Sequence, residues 1–234
     1  MPVPIGGTPC MLPCVSPPSA TPEPDELVKR AVALTKRRSR VLIGLAGPPA
    51  AGKSTLAAWL VDRLNARRLL AVGVPMDGFH LADTALDALG RRDRKGAVDT
   101  FDGHGYLALL RRLRAEQETT VYAPAFERDL EQPVAGSIAV PPGIRVVVSE
   151  GNYLLLEDPP WPAVWSEFDE VWYVDLDEVV RRERLLDRHV RFGKAPDAAR
   201  AWVDAVDEPN ARLIAATAGR ADLAIDYGRC DLRA

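Results

Sequence analysis

The chain has 234 residues, of which 47% are hydrophobic and 27% charged, with a formal net charge of -3. This is the composition of an ordinary globular domain with one sizeable core. Charges of both signs are interspersed, which gives no electrostatic basis for a nucleic-acid partner. No apolar run approaches a membrane span, and the N-terminus lacks the basic-then-apolar pattern of a secretory signal.

Residues 1–24 contain Pro2, Pro4, Pro9, Pro13, Pro17, Pro18, Pro22 and Pro24 among small residues, with Met11 inside the segment. Such a stretch cannot donate regular backbone hydrogen bonds or bury much surface, so a disordered tail is expected, followed by one folded domain over 25–234. The three cysteines, Cys10, Cys14 and Cys230, have no partner set with zinc spacing. A reduced, cytoplasmic setting is therefore expected.

The stretch DELVKRAVALTKRR reads as an amphipathic helix, and VLIGLA at 41–46 as a strand covered on both faces. That strand runs directly into GPPAAGKST, in which Gly47, Gly52, Lys53 and Ser54 match the phosphate-loop pattern G-x-x-x-x-G-K-[ST]. Glycines permit the tight turn that points successive N–H groups inward at phosphate oxygens, and the following helix adds its positive end. Gly47, Pro48, Pro49, Ala50, Ala51, Gly52, Lys53, Ser54 and Thr55 are thus the expected ATP cradle. Lys53 reaches the β- and γ-phosphates, and the Ser54 hydroxyl is a magnesium ligand. In the helix KSTLAAWLVDRLNARR, residues Leu56, Ala57, Leu60, Val61 and Leu64 recur at helical spacing.

LLAVGVPM, residues 69–76, reads as the next strand, and Pro75 places it at a sheet edge. Asp77 follows Lys53 by 24 residues, enough for a helix and a return to a parallel strand. Its carboxylate then emerges at the edge of the sheet where the phosphates sit, as a base for an attacking hydroxyl. Gly78 allows close approach of an acceptor and Phe79 walls it. A simple turn at Asp77-Gly78 is the plainer alternative. His80 reads equally well as a structural hydrogen-bonder or an acceptor contact.

Residues 119–140 break the strand–helix alternation and suggest an inserted hairpin. IRVVVSE at 144–150 is a strand that ends in Glu150, an acid placed to hold Mg²⁺ or one of its waters. EVWYVDL at 170–176 and ADLAID at 221–226 complete the strand candidates. Between them, VVRRERLLDRHVRFGK carries Arg181, Arg184, Arg188 and Arg191. Steps of three, four and three at about 100° per residue put all four within roughly an 80° arc. Val179, Leu186 and Val190 are expected nearer a packing face. The arginine face is either solvated, with local ion pairs to Glu183 and Asp187, or a lid that closes on the transferred phosphoryl group. Under the lid reading Arg184, Arg188 and Arg191 are ATP contacts, Arg188 is catalytic, and Gly193 is a hinge.

Together GPPAAGKST, PMDGFHL, RKGAVDTFDGHGYLALLRRL, YAPAFERDLEQP, VVVSEGNYLLL and RRERLLDRHVRFGK resemble the uridine kinase, phosphoribulokinase and pantothenate kinase group of P-loop kinases. Within that group the chain looks most like small bacterial nucleoside/nucleotide-kinase-like proteins, some labelled fructose transport system kinases. The resemblance runs from about residue 25 to near the C-terminus with the motifs in matching order. It implies an α/β P-loop fold, with a five-stranded parallel sheet in the order 2-3-1-4-5, flanking helices, a helical lid and a small hairpin. It also implies ATP and Mg²⁺, with Asp77 contacting the acceptor hydroxyl and Glu150 serving as the acid after the third core strand. Lys95, Asp99, Phe101, Asp102, Tyr122 and Arg128 fall where relatives build the acceptor pocket. Asp102 equally suits a cap for the helix starting near Gly105, and Arg128 a surface charge.

The expected function is ATP-dependent phosphorylation of an alcohol on a small metabolite, such as a nucleoside, pantothenate or a sugar. No nucleic acid or membrane is expected as partner, and a homodimer is the assembly to test. A nucleotide-hydrolysing regulator or chaperone-like module is the rival reading. The absence of an Asn-Lys-x-Asp motif counts against a GTPase.

Overall fold

The structure is a computed structural model that describes residues 21–232. The segment 1–20, with Cys10 and Cys14, lies outside the described residues, whereas Cys230 is buried. Helix α1, Pro24–Leu34, takes in Pro24, a residue the sequence pattern assigned to the tail. Proline suits a first helical turn because the N–H it lacks would have no intrahelical partner there.

The chain continues through β1 (Val41–Ala46), α2 (Lys53–Ala66), β2 (Ala71–Gly73), α3 (Asp83–Leu89) and α4 (Gly103–Ala115). Next come β3 (Val121–Glu127), β4 (Gln132–Val140), β5 (Val146–Gly151), α5 (Trp161–Ser166) and β6 (Glu170–Asp175). The last elements are α6 (Glu178–Arg191), α7 (Pro196–Trp202), α8 (Glu208–Ala215) and β7 (Leu223–Asp226). Five strands form one sheet in the order β2-β5-β1-β6-β7. Every pairing in it is parallel. Counting only the strands of this sheet along the chain, the order reads 2-3-1-4-5.

Both faces of the sheet are covered, which is why its strands are continuous apolar runs. Val41, Ile43, Leu45, Val146, Val148, Trp172 and Val174 pack with Leu27, Leu56, Leu60 and Leu64 of α1 and α2. The alternate residues Leu42, Ala46, Val147, Val171 and Tyr173 face α4 and α5 through Leu107, Leu110, Trp161 and Val164. Parallel strands deliver all their C-terminal ends to one rim, and that rim carries the loops after β1, β2 and β5.

Two expectations about local structure change. The strand expected over 69–76 pairs as a strand only over Ala71–Gly73, with flanking bonds from Val74 N to Val148 O at 2.9 Å and from Arg145 N to Leu70 O at 2.8 Å. The strand does lie at the sheet edge, but Pro75 is past its end and opens a tight 3-10 turn, Met76–Phe79. The face that α6 turns inward also differs from the valine face expected. Val179 and Val190 are 64% and 44% exposed, while Arg181 and Leu185 are the buried residues. Arg181 is buried because Glu208 neutralises it across a 2.7 Å ion pair.

The excursion at 119–140 is an antiparallel hairpin of β3 and β4, with an irregularity between Ala123 and Ala125. It packs on the Met76–Phe79 turn so closely that a Cβ on Gly78 would stand 2.4 Å from the Pro124 carbonyl oxygen. Gly78 thus admits the hairpin backbone and not an acceptor molecule.

Candidate active site

The loop between β1 and α2 is shaped by glycines that have no room for a side chain. A Cβ on Gly47, at φ 149°, would come within 2.3 Å of Val174 O, and one on Gly52, at φ 103°, within 2.7 Å of the Tyr227 ring. The backbone can therefore lie flat against β6 and pass beneath Tyr227. The first N–H groups of α2 have no intrahelical partner and are available to an anion. Pro49, Ala50, Gly52, Lys53, Ser54 and Thr55 line a cleft of about 860 Å³. Gly47, Pro48 and Ala51 do not line it; their side-chain positions are buried behind the wall, leaving only backbone for any contact.

Lys53 is buried, and its Nζ donates to Pro48 O at 2.9 Å and to Asn152 Oδ1 at 2.8 Å. Burial pulls its pKa down to about 8, against the opposing charges of Glu150 and Asp77. Ser54 Oγ donates to Glu150 Oε1 at 2.8 Å. Glu150 is buried at the end of β5, and its pKa is pushed up, first by burial and then by the Asp77 charge. A carboxylate in this position is a ready partner for a cation. Among the described residues no cluster of three or more His, Cys, Asp or Glu forms a metal cage. One hydroxyl and one carboxylate fit Mg²⁺, which usually keeps waters and takes its remaining ligands from phosphates.

Asp77 lines the same cleft from the turn after β2. Because β2 and β5 are parallel neighbours, Asp77 and Glu150 emerge at one rim. On the far side α6 contributes Arg184 and Arg188. Burial, reinforced by the neighbouring Arg128 charge, lowers the Arg188 pKa. The Arg184 guanidinium lies over the Tyr227 ring, 5.6 Å from its centre. Arg191 is exposed and does not line the cleft: it is the last residue of α6, and its side chain faces solvent.

Of the expected acceptor residues, His80, Lys95, Phe101 and Arg128 line the cleft. Lys95 Nζ pairs with Asp83 Oδ1 at 2.6 Å and lies over the Phe126 ring, while Arg128 lies over Phe192. Four others are elsewhere. Phe79 turns into the core and packs on Tyr106, with ring centroids 5.3 Å apart. Tyr122 alternates with buried Val121 and Ala123 on β3, so it points outward and is 60% exposed. Asp102 caps α4, accepting from Gly105 N at 2.7 Å. Asp99 pairs with Arg94 at 2.7 Å and with Arg91 at 3.4 Å.

Sequence reading passed over several cleft residues. Asn152, which holds Lys53, follows Glu150 by two positions in SEGNYL, and that spacing was a usable signal. Tyr227 stands just past β7 and had none. His189 and Asp207, paired at 2.7 Å, also line the cleft, from segments distant in sequence.

A family model described as Phosphoribulokinase / Uridine kinase family matches residues 42–233. A Schizosaccharomyces pombe protein provisionally named a uridine kinase is 39% identical over 176 residues, covering 72% of this chain and 74% of that protein. An Escherichia coli protein of uncharacterised function is 32% identical over 189 residues, covering 80% and 78%. Among solved structures, a Silicibacter protein provisionally named a fructose transport system kinase superposes with a TM-score of 0.75 at 36% identity, over 85% of this chain and 98% of that one. A Saccharomyces cerevisiae P-loop protein shares the fold, with a TM-score of 0.74 at 19% identity over 87% and 98%.

Proposed function

The chain belongs to the phosphoribulokinase/uridine kinase family of ATP-dependent kinases with alcohol acceptors, and from that premise we propose that it phosphorylates a hydroxyl of a nucleoside, pantothenate or sugar-like metabolite with Asp77 as the base. The observation that supports this most is convergence. Lys53, the Ser54–Glu150 pair and Asp77, from the start of α2, the end of β5 and the turn after β2, all line one cleft. We assign the kinase domain to the chain from Pro24, the first residue of α1, onward.

In this reading the α2 N-terminus and Lys53 bind the triphosphate, and Asn152 holds the Lys53 ammonium on line. Ser54 and Glu150 would hold Mg²⁺, which would supply neutralisation of the triphosphate charge. Arg188 and Arg184 approach from α6 and balance the charge that develops on the transferred group. Asp77 accepts the proton of the acceptor hydroxyl as its oxygen bonds to the γ-phosphorus and the bond to the ADP oxygen breaks. His80, Lys95, Phe101 and Arg128 surround the acceptor.

Asp77→Asn is expected to keep ATP affinity while lowering turnover by about 10²- to 10⁴-fold. Equal phosphoryl transfer by the variant would remove Asp77 from the mechanism. A mass-spectrometric screen with ATP against nucleosides, pantothenate, sugars and polyols identifies the acceptor.

A further inference from the structure

His80 is held more firmly than a surface histidine would be. Its ring lies between Phe101 and Phe126, with centroids 4.0 and 4.7 Å away. Its backbone is tied to the strand-like bridge at Phe101 by Leu81 N to Thr100 O at 2.9 Å and Asp102 N to Phe79 O at 2.8 Å. Nδ1 stands 2.8 Å from the carbonyl oxygen of Asp77. A carbonyl only accepts, so Nδ1 carries the proton of that bond. Burial lowers the imidazolium pKa further than the Asp77 charge and this bond raise it, and Lys95 adds to the lowering. The ring is therefore neutral near pH 7, and its second nitrogen, Nε2, carries a bare lone pair. Nε2 makes no hydrogen bond within the described residues and is not among their buried unpartnered atoms, which are Trp59 Nε1 and Arg181 Nη1. With His80 lining the cleft, that lone pair is open to a ligand.

We propose that His80 is a specificity-determining residue whose Nε2 accepts a hydrogen bond from a second hydroxyl of the acceptor, so that the substrate is a polyol and not a monohydric alcohol. The inference rests on the kinase reading above. Asp77 takes the hydroxyl that is phosphorylated, and His80, three residues on and bonded to the Asp77 backbone, reads another. A neutral acceptor nitrogen gives no attraction to a carboxylate or phosphate, which separates its role from that of Arg128. A site built to accept from a hydroxyl rejects the analogue that lacks it, because the bound analogue covers the acceptor nitrogen and leaves it unpaired.

The test has two arms. Nitrogen-15 NMR of the protein at pH 7.5 is expected to show His80 with a protonated Nδ1 and a pyridine-type Nε2; the reverse pattern, or a charged ring, overturns the proposal without reference to activity. In the second arm, uridine, D-ribose, D-fructose, glycerol and pantothenate are each compared with analogues that lack one non-reacting hydroxyl. Monohydric homoserine and choline serve as controls. A loss of at least 100-fold in kcat/KM for one deoxy analogue, reduced to a few-fold in His80→Phe with the KM for ATP unchanged, is the expected result. Transfer to homoserine or choline alone, or discrimination that survives in His80→Phe, overturns the polyol assignment and leaves the kinase reading standing. ATP hydrolysis with no transfer to any acceptor in either set sinks both.

Discussion

Lys53 illustrates how burying a cation suited to a phosphate costs stability. Its ammonium is buried, and its pKa falls from 10.5 to about 8. Between those values the unfolded chain holds a proton that the folded chain has shed, so stability rises with pH through that window. The gain is at most about 3–4 kcal/mol, the free-energy equivalent of a fall from 10.5 to about 8. In magnesium-free, nucleotide-free buffer, urea unfolding of the wild type from pH 8 to 10.5 is therefore expected to gain stability that Lys53→Met does not. Parallel slopes for the two proteins would refute this account. Glu150 carries a complementary strain, its pKa raised by burial beside Asp77. Glu150→Gln is expected to raise the magnesium concentration needed for half-maximal transfer by about tenfold or more, read by titrating Mg²⁺ at fixed ATP.

Helix α6 is attached mainly through charge. Val179, Val180 and Val190 are exposed, whereas Arg181 and Leu185 are its buried residues. An ion pair from Arg181 to Glu208 at 2.7 Å and a hydrogen bond between His189 Nε2 and Asp207 Oδ2 at 2.7 Å hold it to the segment after α7. Arg181→Met alone leaves buried Glu208 with only the more distant Arg182, 3.9 Å away, and is expected to cost about 3 kcal/mol. Replacing both, Arg181→Met with Glu208→Leu, should recover most of that loss in a double-mutant cycle by chemical denaturation. The hairpin depends instead on close backbone contact. Gly78→Ala would force a Cβ against Pro124 O, now 2.4 Å from that position. An expected loss of about 1–3 kcal/mol should come with a fall in kcat, because the same turn carries Asp77. A variant with wild-type kcat would show that the hairpin does not position Asp77.

Across the whole molecule the two ends of the parallel sheet divide the work. The rim at the C-terminal ends of the strands holds the cleft, while the opposite end holds Arg40, 1% exposed and with no carboxylate partner among the described residues. Arg40 donates to Ile144 O at 3.0 Å, Leu113 O at 2.9 Å and Pro141 O at 3.3 Å, joining β1, α4 and the chain before β5. Arg40→Met leaves those carbonyls unpaired and is expected to cost about 3 kcal/mol, read as a lowered Tm. Its kcat well below the Tm should be that of the wild type, since the cleft is at the other end; a lowered kcat would mean that the two ends are coupled. The phosphate loop, the strand–helix alternation and the acids Asp77 and Glu150 were legible in the sequence because each is a local signal: a spacing, a period, or a residue at the end of an apolar run. The direction of side chains was not. Phe79 turns to Tyr106, Asp102 turns back to cap α4, and Tyr122 points to solvent. Meanwhile Asn152 and Tyr227 reach the loop at 47–55 from elsewhere in the chain. The residues alone determined the nucleotide chemistry and the class of fold. Only the packing of the hairpin, α6 and the end of β7 around one rim decided which side chains enter the cleft, because that depends on contacts between segments far apart in sequence.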